Sequence, residues 1–422
     1  MDTTPFHLVL FALDVITLGG LFFWLRRRHD ADAASFAVYQ YEKTLYTHKE
    51  FHYRSYPWDL IGIVLVGFVN LLCFAFLSRL IFTNYVQTHV YNFNVGQCIA
   101  EGIAIHGTLF LAAATVLLYW KRRALCAALF GGCTILLAGI CFDALYWEPY
   151  HVKVEYYKIE TAKVKEPVRI VFVSDIQADR IGSHEINTLK KIQRLEADLI
   201  ILGGDYIQAY PGYKGPSLPE RFRQMLISYP LTAPLGVYAI AGNIRDIEVS
   251  DEELFHDTSI EFYQDSTIFD GLGTDMNIGP IDLVLLGLGH SWGGLGERGL
   301  TESGNFLVMA GHCPNYAIDG YTNPRSGNSL SGYRTAAKTP DLMLAGHTHG
   351  GQVVIPFYGP LSGLGDERME QIPKNMRQGF FTNPNGGRLL ITRGSGMDRG
   401  WAPRIRFFCP PEISVIDIVP EK

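Results

Sequence analysis

Residues 342–352 read Leu342-Met-Leu-Ala-Gly-His-Thr-His-Gly-Gly-Gln352. Four apolar residues run straight into two histidines spaced one residue apart. Alternate side chains of an extended segment face the same side, so both imidazoles are aimed at one point. The flanking glycines let the backbone turn tightly there. The same layout recurs upstream. Val168–Ser174 precedes Asp175-Ile-Gln177, Leu199–Leu202 precedes Gly204-Asp205, Gly236–Ala241 precedes Gly242-Asn243, and Phe306–Ala310 precedes Gly311-His312. Continuous apolar runs of this length predict strands of sheets buried on both faces. Further strands are predicted at His151–Thr161, Leu283–Leu288, Arg388–Thr392 and Ile413–Val419, with helices over Ser183–Arg194 and Pro219–Ser228. Alternating strands and helices imply an α/β layered domain, whose ligands bind beyond the strand C-termini.

Carboxylate, amide and imidazole groups thus collect at the mouth of one sheet. Hard oxygen donors mixed with imidazole suit Mn, Fe or Zn. One fragment such as Gly-Asp carries little information, because it occurs by chance in many chains. Five in this order are a strong signal against the alternative of unrelated strand-end turns.

The series resembles the calcineurin-like metallophosphoesterase superfamily, whose motifs run D-x-H, G-D, G-N-H, H and G-H-x-H. The resemblance covers roughly His151 to the C-terminus. Gly346-His-Thr-His-Gly-Gly-Gln352 and Arg406-Phe-Phe-Cys-Pro-Pro-Glu-Ile413 are similar to the membrane-bound or exported bacterial branch, and to UDP-2,3-diacylglucosamine diphosphatase-like enzymes. The resemblance implies a four-layer α/β/β/α sandwich and two divalent metal ions. Asp205 would bridge the metals, Asp175 and His349 would complete one site, and Asn243, His312 and His347 the other. A hydroxide held between the metals would attack phosphorus in line.

Two motifs depart from that pattern. Gln177 stands where the family has a histidine, and its carbonyl oxygen favours Mn, Mg or Ca over Zn at that position. The third motif reads Gly-Asn-Ile-Arg-Asp, so the histidine that would assist the leaving group is Ile244, which has no proton to give. Arg245 beside it is a candidate for stabilising phosphoryl charge, and His290 is a candidate replacement acid. The stretch Tyr321–Pro340 is long for a connection inside a compact domain. Its Arg325, Arg334 and Lys338 are candidates for holding a second phosphate or a lipid headgroup, against the alternative of a solvated loop.

The N-terminal third has a different texture. Its apolar runs, about residues 6–25, 60–82, 103–120 and 124–147, each approach the ~20 residues needed to cross a bilayer. Residues 1–147 are therefore expected to be a membrane α-helical bundle with four transmembrane helices, and residues 148–422 the phosphoesterase domain. Arg26, Arg27 and Arg28 follow the first run, the Thr83–Gly102 connection holds no Lys or Arg, and Lys121, Arg122 and Arg123 mark the next turn. The positive-inside rule then places the polar domain outside the cytoplasm. Asp14, Arg79 and His106 fall within the runs, where a polar contact that fixes helix packing is the plain reading.

Net charge is only −6, with no concentrated basic surface, so nucleic acid is not an expected partner. The seven cysteines show no disulfide or zinc spacing. Five lie in or beside apolar runs, leaving Cys313 and Cys409 as the one pair in the polar region. The expected activity is a membrane-anchored, metal-dependent phosphoesterase acting on a phosphodiester or pyrophosphate of a lipid or envelope precursor. The alternative is a catalytically reduced protein that binds metal and ligand as a sensor or scaffold.

Overall fold

A computed structural model of the chain describes residues 92–120, 123–208, 217–243, 251–263, 274–287, 304–317, 340–360, 372–382, 387–398 and 404–421. It also describes isolated positions before residue 92. The chain divides into two compact units, one formed by residues 2–90 and 95–142, the other chiefly by Asp143–Lys422.

In the first unit, α1 (Asn92–Trp120) and α2 (Ala124–Phe142) are the fully traced helices. Two stretches, Ala100–Trp120 and Ala124–Tyr150, are long and apolar enough to cross a membrane. The other two expected spans lie outside the described residues except for Ala12, Val15, Ile16, Gly19, Gly20, Phe23, Ile63, Leu65 and Gly67, all helical. Asp14 and Arg79 likewise lie outside them, and His106 is buried. Ile63, Phe110, Ala114, Leu118 and Ala127 form a small apolar cluster. After α2 the helix widens into a π turn at Asp143–Trp147 and tightens into a 3-10 turn at Glu148–Tyr150. Pro149 cannot continue an α-helix because it has no N–H to donate.

The second unit is built on two six-stranded sheets. The first runs in the order β1 (Lys153–Thr161), β14 (Glu412–Pro420), β2 (Val168–Val173), β3 (Leu199–Leu202), β4 (Val237–Ile240), β5 (Glu261–Tyr263). β14 pairs parallel with β1 and antiparallel with β2, and β2 to β5 are parallel. The second runs β12 (Gly379–Thr382), β13 (Arg388–Ile391), β9 (Leu342–Ala345), β8 (Phe306–Ala310), β7 (Ile281–Leu285), β6 (Thr274–Ile278). Its four central strands are parallel and its two edges antiparallel.

Period-two alternation places the core. On β2, Ile170 and Phe172 face the second sheet and pack with Leu283, Val308, Leu344 and Leu390. Val171 and Val173 face the other way, onto Leu189 and Ile192 of α3 (Ser183–Gln193) and Phe222 and Leu226 of α4 (Leu218–Ser228). Both faces of the sheet are therefore covered, which is why these strands read as unbroken apolar runs. The outer face of the second sheet packs Met309, Met343 and Leu389 against Ala317, Met376 and Phe381. Those partners sit on or beside short 3-10 turns and an edge strand, and among the described residues no α-helix lies there.

The expected strands all appear, three of them (Leu199–Leu202, Phe306–Ala310 and Leu342–Ala345) with the expected bounds and the rest with ends shifted by one to three residues. β5, β6, β12 and the small hairpin of β10 (Val354–Ile355) and β11 (Gly359–Pro360) were not expected. Cys313 and Cys409 are both buried and do not form a disulfide.

Candidate metal centre

All the polar clusters lie at the C-terminal ends of parallel strands, where the two sheets abut. Asp175 follows β2, Asp205 follows β3, Asn243 follows β4, His312 follows β8, and His347 and His349 follow β9. Backbone hydrogen bonds stitch these ends together. Asp175 N donates to Gly204 O at 2.9 Å, Gln177 N to Asp205 O at 2.8 Å, and Gly346 N to His312 O at 2.9 Å.

The backbone is held in unfavourable conformations to do this. Asp175, Gln177, Asp205, His347 and His349 have φ of 55°, 36°, 56°, 68° and 50°. L-residues rarely adopt this region, and such outliers gather at functional sites. A Cβ on Gly242 would collide with the amide and carboxylate of Asp205, and one on Gly346 with the side chains of Ser174 and Asp175. Glycine at these two positions is what lets the strand ends approach so closely.

The side chains converge as follows. His347 N donates to both Asp175 carboxylate oxygens at 3.1 and 3.0 Å, and His349 Nε2 lies 3.5 Å from Asp175 Oδ1. His312 Nδ1 is 2.7 Å from Gly203 O, which makes it the donor and leaves Nε2 with its lone pair. That Nε2 faces Asn243 Oδ1 at 2.7 Å and Asp205 Oδ2 at 3.3 Å. Three electron-rich atoms this close need a proton or a cation among them. Gln177 Nε2 donates to Asp205 Oδ2 at 3.2 Å, while its own Oε1 is buried with no hydrogen-bond partner, as is His349 Nδ1. Buried polar atoms left in this state are costly unless a ligand satisfies them.

Electrostatics agree. Burial pushes the Asp175 carboxyl up to about 7, with Asp205 adding to the shift and His312 opposing it. Burial would pull His312 down, but Asp205 and Asp175 together raise it to about 9. Burial and the nearby Arg406 hold His349 well below its ordinary value, hence neutral. The donor atoms of Asp175, Asp205 and His312 lie within 4.8 Å of one another, as do those of His312, Cys313 and His347. Carboxylates crowded against imidazoles, with orphaned acceptors beside them, fit divalent cations, which would take the place of the proton His312 otherwise holds.

Asp175, Gln177, Asp205, Asn243, His312, His347 and His349 are therefore brought together. Arg245, His290, Arg325, Arg334 and Lys338 lie outside the described residues. Sequence reasoning passed over two neighbours. Cys313 is buried against the histidines, and only its place beside His312 hinted at it. Arg406 is fully buried and donates to the carbonyls of His349, Arg393, Gly396 and Cys409. In the sequence it stands only within Arg406–Ile413, the stretch that carries part of the family resemblance.

Comparison with known proteins agrees with this geometry. Residues 168–351 match the calcineurin-like phosphoesterase family. The uncharacterized metallophosphoesterase YkuE of Bacillus subtilis (strain 168) is 25% identical over 289 residues, covering 65% of this chain and 88% of its own. The phosphodiesterase YaeI of Escherichia coli (strain K12) is 25% identical over 260 residues, covering 60% and 83%. The UDP-2,3-diacylglucosamine pyrophosphatase LpxG of Chlamydia muridarum (strain MoPn / Nigg) is 35% identical over a shorter 77 residues, 18% of this chain and 22% of its own. Two sheets meeting at a strained cluster of carboxylates and imidazoles coincide with the segment, residues 168–351, that matches the calcineurin-like phosphoesterases, a likeness consistent with a hydrolase.

Proposed function

We propose that the chain is a multi-pass membrane phosphoesterase whose catalytic domain lies outside the cytoplasm and cleaves a phosphodiester or pyrophosphate of a lipid or envelope precursor. The observation that carries the hydrolytic reading is the convergence of Asp175, Asp205, Asn243, His312 and His349 at the abutting sheet ends. Anchorage is supported by the two apolar stretches, of which the second ends at Tyr150, just before β1 begins at Lys153. The four-span bundle over residues 1–147, the sandwich domain over 148–422 and the sidedness follow the charge pattern of the sequence. A lipid-linked substrate is supported by the anchor and by the local likeness to LpxG.

Asp175, Gln177, Asp205, Asn243, His312, His347 and His349 would hold two divalent ions, with Mn suited to the carbonyl oxygen of Gln177. Bound ions would supply positive charge to the phosphoryl oxygens and acidify water. The chain's own residues set the geometry. Gly203 O fixes the His312 tautomer so that Nε2 faces the cluster, and the His347 amide orients the Asp175 carboxylate. Arg245 and His290 are proposed for phosphoryl charge and leaving-group protonation, and Arg325, Arg334 and Lys338 for a second anionic group.

Hydrolysis of an aryl and an alkyl phosphodiester by wild type, Asp205→Ala and Ile244→His, each with Mn and with Zn, tests this. Asp205→Ala should abolish turnover. Ile244→His should raise the alkyl rate by roughly 10²–10⁴-fold where leaving-group protonation limits it, and leave the aryl rate almost unchanged. Equal background rates for wild type and Asp205→Ala, with metal still bound by wild type, would overturn this reading in favour of a metal-binding sensor.

A further inference from the structure

One group of large apolar side chains left exposed on the catalytic unit is joined through backbone contacts. Tyr146, Trp147, Ile355, Phe357, Tyr358 and Phe408 all remain exposed. Val354 N donates to Phe407 O at 2.8 Å and Phe407 N to Gln352 O at 3.0 Å, which joins the β10–β11 hairpin to the Phe407-Phe408 pair. Phe408 N donates to Glu148 Oε2 at 3.0 Å, and Cys409 N donates to the same carboxylate. Arg406 N donates to Ala144 O at 3.0 Å. Ala144 and Glu148 belong to the closing residues of the second candidate span. An unbroken set of backbone contacts thus leads from the end of that span to the hairpin tip.

The tip itself has no folding rationale. Tyr358 N donates to Ile355 O at 3.1 Å, closing a four-residue turn with Pro356 second and Phe357 third. Phe357 has φ of 67°. A turn with proline second and a positive φ third ordinarily carries glycine or asparagine at that third position. Here a phenylalanine takes the strain while standing wholly in the open, at 111% relative exposure. Beside it Lys374 Nζ lies 4.1 Å from the centre of the Tyr358 ring. Exposed aromatic rings with a basic neighbour suit the headgroup region of a bilayer.

We propose that the Ile355–Tyr358 tip, together with Phe408, seats in the lipid interface of the bilayer to which the chain is anchored. This rests on the membrane-anchored reading above. Lipid is the occupant because the patch is continuous, through Phe408 and Glu148, with residues that end a membrane-length apolar stretch. The hairpin also follows directly from His347–Gln352, and Gln352 is clamped to the backbone of Asp398 at 2.9 Å on both sides of its amide. Seating the tip therefore sets the height of the metal-binding segment above the headgroups. It favours an ester presented at the membrane surface over one free in solution.

The test uses the full chain in nanodiscs of phosphatidylcholine and phosphatidylglycerol. In Phe357→Trp, the emission added over wild type should be quenched by nitroxide-labelled lipid and little by aqueous iodide. Phe357→Gly places the favoured residue in the turn, so its apparent Tm should equal or exceed wild type. It should lower kcat/KM for a phospholipid diester in the discs by about tenfold, the scale of one interfacial aromatic side chain. Hydrolysis of a soluble aryl diester should not change. Quenching by iodide and not by lipid overturns the inference while the anchor stands. Protection from both quenchers also overturns it, since a protein surface then covers the tip. A chain that does not enter the discs refutes the anchor and the inference together. Absent aryl hydrolysis refutes the catalytic reading, and the quenching result still judges the tip.

Discussion

Replacing Arg406 with methionine isolates the scaffold under the metal centre from the chemistry above it. The guanidinium is fully buried and makes five hydrogen bonds to four carbonyls. These are Gly396 O, from Nε at 3.0 Å and Nη2 at 2.6 Å, Arg393 O at 2.8 Å, Cys409 O at 2.8 Å, and His349 O at 3.4 Å. His349 O also accepts from Gln352 N at 3.0 Å, so it loses least. Methionine fills much of the volume and leaves three buried carbonyls without this donor, at about 1–2 kcal/mol each after the relief of burying a charge, or roughly 3–6 kcal/mol. That is a large part of the ~5–15 kcal/mol that holds a typical domain together. For a unit of this size it corresponds to a fall in apparent Tm on the order of 10 °C. The measurement is thermal unfolding of detergent-solubilised wild type, Arg406→Met and Arg406→Lys. Lysine keeps the charge but offers one compact ammonium to acceptors spread around a planar fork, so it should recover only part of the loss. An Arg406→Met protein that melts within ~2 °C of wild type would refute the scaffold argument, because the three carbonyls would then have found other donors.

Four further outcomes follow from the geometry. Gly346→Ala should sharply lower metal affinity, because its methyl would collide with Ser174 and Asp175, and isothermal titration with Mn measures it. Mn should raise the apparent Tm of wild type and not of Asp205→Ala, since ions that bind only the folded site stabilise it by mass action, about 2.7 kcal/mol at a hundredfold excess over Kd. Burial lowers the His184 pKa in the folded state, with the Ser395 carbonyl opposing. The unfolded chain then binds the extra proton, so stability contributed by neutral His184 is present above the ordinary value of about 6.5 and is lost as pH falls below it. His184→Gln should flatten that acid-side slope in urea titrations. A reporter fused after Lys422 should behave as extracytoplasmic and one within Arg28–Pro57 as cytoplasmic, and the reverse pattern would overturn the sidedness.

The parts of the domain that were legible in the sequence are those where both sheet faces are buried. Ile170, Val171, Phe172 and Val173 must all be apolar, so β2 announces itself. β6 (Thr274-Asp-Met-Asn-Ile278) is an edge strand whose Met276 and Ile278 alternate with polar residues and pack on the core, but two apolar positions are too short a pattern to read. Asp175, Asp205 and the histidines were legible because chemistry restricts which residues can stand at a strand end. Arg406 was not, since an arginine reads as a surface charge and its acceptors are backbone carbonyls, from Cys409 to His349, that leave no side-chain pattern to read. Phe357 was hidden for the opposite reason. Its oddity lies in a φ angle that no composition reveals.

The pairing of β14 between β1 and β2 has a consequence for biosynthesis. β1 emerges soon after the second apolar stretch, yet its nine-residue partner, Glu412–Pro420, is made only after the rest of the domain. Until then β1 has no neighbour and β2 has an open edge, each a template for wrong pairing. The first sheet therefore cannot close strand by strand as the chain emerges. It must wait and close in one late step, so this is where chaperones, or a truncation of a few residues, would act with most force on the yield of folded protein.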